Sequence, residues 1–89
     1  MAVQPLPVTI YINPRCRMAL RARDRLRNLN VPFIEINILE DEAAAKHLER
    51  LANGFRSTPT VVFGDEEIVL VEPTTSKLEE TLRKAGYAV

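Results

Sequence analysis

The sequence predicts an α/β domain ordered β-α-β-α-β-β-α, a four-stranded mixed sheet with helices on both faces. Three observations carry this expectation. Short apolar runs near residues 8–12 and 33–38 are each followed by an apolar stripe at helical spacing, which is the pattern of two β-α steps. Two β-branched runs, Thr60-Val61-Val62-Phe63 and Ile68-Val69-Leu70-Val71, are separated only by Gly64-Asp65-Glu66-Glu67, as in a hairpin. A last stripe of Leu78, Leu82 and Ala85 closes the chain.

Each element has local causes. Val8, Ile10 and Ile12 alternate with Thr9 and Tyr11, and this nearly continuous apolar run suits a central strand covered on both faces; Pro14 ends it. Met18, Ala22, Leu26 and Leu29 form one stripe of a helix running from about residue 15 to 28 or 29. It stops at Asn30-Val31-Pro32, because a residue before proline is pushed out of the α region. Phe33, Ile34, Ile36 and Ile38, with Glu35 and Asn37 between them, read as the second strand. Glu40, Asp41 and Glu42 suit the positive end of the next helix, whose stripe is Ala44, Leu48 and Leu51 and whose stop is Asn53-Gly54. For the last helix, Ser76-Lys77-Leu78-Glu79 fits a capping box, with Thr74 or Thr75 as alternative N-caps, and Gly86 ends it.

The 89 residues suffice for one domain and one core, with residues 1–7 expected to be a flexible lead-in. Apolar residues make up 46% and charged residues 27%, which points to a globular chain, and no apolar run is long enough to span a bilayer. The first residues lack the basic start and apolar core of a signal peptide, so a cytoplasmic protein is expected. A single cysteine excludes an internal disulfide, and without a cysteine or histidine cluster no metal site is expected. Net charge is zero, yet residues 15–27 hold six arginines against Asp24 alone. With no aromatics interleaved, that run reads as a solvated helix face rather than a nucleic-acid site.

The chemistry centres on Cys16, where the first strand hands over to the first helix. The leading N–H groups of a helix lack intrahelical partners and carry partial positive charge, so a sulfur there is favoured as thiolate, the nucleophilic form. Arg15 and Arg17 flank the sulfur and add two cations to the same effect. A lone cysteine is otherwise a small buried hydrophobe; the two arginines argue for a reactive one.

A cysteine at the first strand-to-helix turn of this layout is the arrangement of the small thioredoxin-like fold. The chain resembles the glutaredoxins, most closely the actinobacterial mycoredoxins. The matching segments are Val8-Thr9-Ile10-Tyr11 leading to Cys16, then Gly54-Phe55-Arg56-Ser57-Thr58-Pro59-Thr60-Val61-Val62-Phe63, then Val71-Glu72-Pro73-Thr74. The resemblance implies that Pro59 is cis and that Thr58 offers its N–H and C=O to a substrate strand. It implies thiol-disulfide exchange with a low-molecular-weight thiol, glutathione or mycothiol, as co-substrate and a protein disulfide or mixed disulfide as partner. No tightly bound cofactor is implied, and a monomer is expected. Arg56 is the candidate for holding a carboxylate of the small thiol, and Thr74 or Thr75 at a helix start for holding another.

Departures from the family pattern refine the expectation. Dithiol members place a resolving cysteine three residues after the first, where this chain has Ala19, so the implied mechanism is monothiol. Met18 and Arg17 stand where many members have an aromatic and a glycine or proline, which makes the groove beside the sulfur more cationic. Glu72-Pro73-Thr74 occupies the place of the paired glycines that help hold glutathione, leaving mycothiol or a protein thiol as alternatives. Two other readings are a redox-inactive binding module on the same fold and an arsenate-reductase-like protein. The latter is similar at Ile10-Tyr11-Ile12-Asn13-Pro14-Arg15-Cys16 but requires a helical insertion for which this chain has no residues.

Overall fold

The computed structural model describes residues 4–89. The elements are β1 (Val8–Ile12), α1 (Arg17–Asn28), β2 (Phe33–Asn37), α2 (Glu42–Leu51), β3 (Thr60–Phe63), β4 (Ile68–Val71) and α3 (Thr75–Lys84). They form one four-stranded sheet in the order β2-β1-β3-β4. β1 runs parallel to β2, with Val8 opposite Phe33 and Ile12 opposite Asn37. It runs antiparallel to β3, with Val8 opposite Phe63 and Tyr11 opposite Thr60, and β3 pairs antiparallel with β4.

Strand alternation sorts the core into two layers. Val8, Ile10 and Ile12 with Val61 and Phe63 face Ala19 and Leu26 of α1 and Leu78 and Leu82 of α3. Tyr11 and Val62 point the other way, onto Ala45 and Leu48 of α2. β1 and β3 are therefore covered on both faces, as the apolar run at residues 8–12 leads one to expect. β2 lies at the sheet edge, and Ile34 there is 61% exposed.

One expectation is corrected, and of the alternatives left open at α3 one is taken. The apolar stripe of α1 does not begin at Met18, which is 51% exposed; Ala19, fully buried, takes that place, and its small side chain lets the helix approach the sheet closely. At α3 the capping box headed by Ser76 is not formed: Thr74 is the N-cap, in extended conformation, and its Oγ1 accepts from the Lys77 N–H at 3.1 Å. A threonine in that role contributes about 1 kcal/mol. The described part of the lead-in is hydrogen-bonded to the body of the fold. The Leu6 N–H donates to the Ala85 carbonyl at 2.9 Å, the Tyr87 hydroxyl to the Leu6 carbonyl at 2.6 Å, and the Gly64 N–H to the Pro7 carbonyl at 2.8 Å. Residues 1–3 of that segment lie outside the described residues.

Candidate functional site

A turn places Cys16. Asn13 and Pro14 are favoured at the first two positions of such a turn, and both backbone and side chain of Asn13 are used. The Cys16 N–H donates to the Asn13 carbonyl at 2.8 Å, and the Arg15 N–H donates to Asn13 Oδ1 at 2.9 Å. Residues 14 and 15 thus belong to this turn, α1 starts at Arg17, and Cys16 is its N-cap. Cys16 makes no side-chain capping bond, so its sulfur is free of the helix it begins.

That half-buried sulfur meets the segment before β3. The Cys16 thiol donates to the Thr58 carbonyl at 3.4 Å. Thr58 and Pro59 are buried and joined by a cis peptide bond, and the Thr60 hydroxyl closes the turn by donating to the Ser57 carbonyl at 2.8 Å. The Pro59 carbonyl accepts from the Glu72 N–H at 2.8 Å, which ties the segment to the end of β4. Glu72 itself stands at φ 49°, the left-handed region that glycine occupies most readily. The fold thus brings Cys16 against Thr58, 42 residues on, with Pro59 next to it.

The remaining predicted residues divide into two groups. Met18 lines a cleft of about 180 Å³ with Arg21, Ala22, Pro73, Thr74 and Thr75, between α1 and the start of α3. Arg15 and Arg17 lie exposed on either side of Cys16 and have no carboxylate within ion-pair distance among the described residues. Arg56 instead turns toward α2. Its Nη2 lies 2.6 Å from Glu42 Oε1 and its Nε 2.8 Å from Glu49 Oε2, so two carboxylates of the protein already share the guanidinium. A ligand carboxylate would have to compete with both. Nothing in the sequence signals that either acid pairs with Arg56; Glu42 reads there only as an acid favoured at a helix start. Beside this cluster Phe55 is 69% exposed.

The charge consequence of the Arg56 cluster is measurable. Its hydrogen bond and charge hold the Glu42 carboxyl below the usual carboxylate range, and the two acids in turn raise the guanidinium. A depressed carboxylate stabilises the fold at pH values above its unfolded pKa, and that contribution is lost as the pH falls through its folded pKa. An NMR titration of the Glu42 side chain is expected to give a midpoint below that of an ordinary glutamate, and Arg56→Ala is expected to bring it back up. An unchanged midpoint in the variant would show that the ion pair does not hold in solution.

A larger cleft than the one beside Met18 lies elsewhere. It is an apolar hollow of about 400 Å³ at the start of β1, lined by residues including Pro5, Pro7, Pro32 and Phe33. Its ionisable side chain, Tyr87, is occupied with the Leu6 carbonyl, so the larger volume carries no nucleophile. His47 also lies away from the sulfur, between Arg50 and Glu66.

Known proteins share this arrangement. The Glutaredoxin family model matches residues 8–68, a stretch containing Cys16, the cis-proline segment and strands β1, β2 and β3. The chain belongs to the glutaredoxin family. The chloroplastic monothiol glutaredoxin-S14 of Arabidopsis thaliana is 34% identical over 77 residues, covering 81% of this chain and 44% of the plant protein. A Mycobacterium tuberculosis protein named as a glutaredoxin, Rv3198A, is 30% identical over 77 residues, covering 86% of this chain and 90% of its own length. Among solved structures, the glutaredoxin of Archaeoglobus fulgidus superposes with a TM-score of 0.74 at 25% identity, covering 88% of this chain and 87% of its own. A variant of the thioredoxin-like protein BC3987 gives 0.74 at 30% identity, covering 85% and 94%. Family membership thus agrees with the thioredoxin-like fold described above, and glutaredoxins work with low-molecular-weight thiols and protein mixed disulfides. No helix among the described residues is long and apolar enough to cross a membrane.

Proposed function

We propose that the protein is a monothiol transferase that reduces mixed disulfides between a protein and a low-molecular-weight thiol, with Cys16 as its only redox-active group. The supporting observation is the pairing of Cys16 with Thr58 at 3.4 Å, together with an alanine, sealed in the core, at the position three residues on. The Cys16 thiolate attacks the small-thiol sulfur of the mixed disulfide; a new S–S bond forms to Cys16, the old one breaks, and the protein thiolate leaves and takes up a proton. A second small thiol, deprotonated, then attacks the Cys16 adduct, releasing the small-molecule disulfide and regenerating the thiolate. Over the cycle, one mixed disulfide and one free small thiol become one protein thiol and one small-molecule disulfide, and Cys16 is returned unchanged.

Other groups have supporting roles. Arg15, Arg17 and the start of α1 surround the sulfur with positive charge, which suits an anionic or carboxylate-bearing reactant. The Thr58 N–H, which donates to no protein acceptor among the described residues, is available to align the backbone of the small thiol. Met18, Thr74 and Thr75 form the wall on the α3 side, where a helix start suits a ligand carboxylate. Glutathione and mycothiol are the two co-substrates to test, with no tightly bound cofactor and a monomer in the cytoplasm as the working setting.

Mass spectrometry after incubation with oxidised glutathione and with mycothiol disulfide decides the matter. One small-thiol adduct per chain at Cys16, removed by further reduced thiol, is expected, together with faster iodoacetamide labelling at neutral pH than free cysteine shows. No adduct with either disulfide, or labelling slower than free cysteine, would favour the redox-inactive binding module.

A further inference from the structure

The six arginines of residues 15–27 are not electrically equivalent. Arg23 lies 3.1 Å from Asp24, Arg25 3.0 Å from Glu79, and Arg27 3.8 Å from Glu35 and 3.9 Å from Asp24. The half of the run farther from Cys16 is thus neutralised by the protein's own acids. Arg15, Arg17 and Arg21 have no such partner among the described residues, and all three are exposed. Arg17 and Arg21 are four residues apart on α1 and so share a face, with half-exposed Met18 beside them. The unpaired charge of the helix is concentrated around the nucleophile.

We infer that the strip formed by Arg15, Arg17, Met18 and Arg21 docks an acidic polypeptide segment that carries the mixed disulfide to Cys16. The inference rests on the transferase reading and adds to it the charge class of the protein partner. Guanidinium groups pair carboxylates in bidentate fashion, and the flexible thioether of Met18 supplies an adaptable apolar contact among them. A cationic surface around a reacting group also raises the encounter rate with anionic partners, and the effect falls with ionic strength. Nucleic acid fits the same charge less well. It brings no sulfur for Cys16 to attack, and the strip has no aromatic side chain on which a base would stack.

The test compares two synthetic peptides, each with one glutathionylated cysteine, flanked by aspartates in one and by lysines in the other. The acidic peptide is expected to show kcat/KM about tenfold or more above the basic one at low salt, the ratio shrinking toward unity at about 0.5 M NaCl. Arg21→Glu is expected to cut that ratio at least threefold, while Arg27→Glu, an equal change in net charge at a neutralised position, leaves it unchanged. Turnover of both peptides with no acidic preference, or equal effects of the two substitutions, overturns the docking surface and leaves the transferase standing. A second measurement separates the opposite failure. Cys16→Ser protein titrated with the reduced acidic peptide is expected to show salt-sensitive amide shifts at residues 15–21. Those shifts without turnover of either peptide by the wild-type protein would uphold the surface and reject the transferase. Single-stranded DNA binding the strip as tightly as the acidic peptide would overturn the assignment to a polypeptide.

Discussion

Cys16→Ser is expected to abolish thiol transfer while leaving the fold as stable as before, or slightly more so. A serine hydroxyl is not ionised at neutral pH and forms no disulfide, so neither half of the exchange can proceed. Structurally the substitution is mild. The oxygen can still donate to the Thr58 carbonyl, which now receives the thiol at 3.4 Å. Cys16 is also an N-cap in extended conformation without a side-chain capping bond, and serine is among the preferred residues at that position. Improved capping would add about 0.5–2 kcal/mol. A mixed-disulfide reduction assay alongside urea unfolding checks both halves of the expectation. Transfer at a rate near that of the wild type would place the chemistry elsewhere, and a loss of several kcal/mol would show that the sulfur holds the site together.

Phe63→Ala is expected to have the largest effect on stability. Phe63 is fully buried at the end of β3, opposite Val8 of β1 and Ile68 of β4, with its ring in the layer shared with α1 and α3. Removing a buried phenylalanine ring costs about 3–5 kcal/mol through lost transfer free energy and the cavity left behind. Against the roughly 5–15 kcal/mol that stabilises a typical domain, this is a large fraction. The melting temperature is expected to fall by roughly 12–40 °C, given about 4–8 °C per kcal/mol for a domain of this size. Since Phe63 is at the other end of β3 from Pro59, transfer by the fraction that remains folded at low temperature is expected to survive. A loss below about 1 kcal/mol would mean that the two helices close over the gap.

How far the sequence speaks depends on the range of the interaction. The β3–β4 hairpin is legible to the residue because two β-branched runs are bounded by a four-residue turn, a purely local signal. The stripe of α1 is not. Met18 outweighs Ala19 in hydrophobicity, yet the tight approach of helix to sheet selects the smaller side chain, a preference set by packing across the chain. The start of α3 illustrates local competition: two overlapping capping patterns exist, and the one that follows Pro73 directly prevails. At the site, Cys16 declares itself through its place at a helix start and its flanking arginines. Its contact with Thr58, 42 residues away, is legible only through family resemblance. The capture of Arg56 by Glu42 and Glu49 had no local signal, because it depends on the outer face of α2 meeting the loop that precedes β3.

The clasp between Leu6 and the Ala85–Tyr87 segment brings both ends of the described chain to one pole of the molecule. β1 begins just after that clasp, and Cys16 follows the strand's far end, so the full length of the central strand separates the two. A tether fixed to the clasp itself, at Leu6 or at the Ala85–Tyr87 segment, therefore holds the molecule at the pole away from the sulfur. Immobilised through that clasp, the molecule would present Cys16 outward.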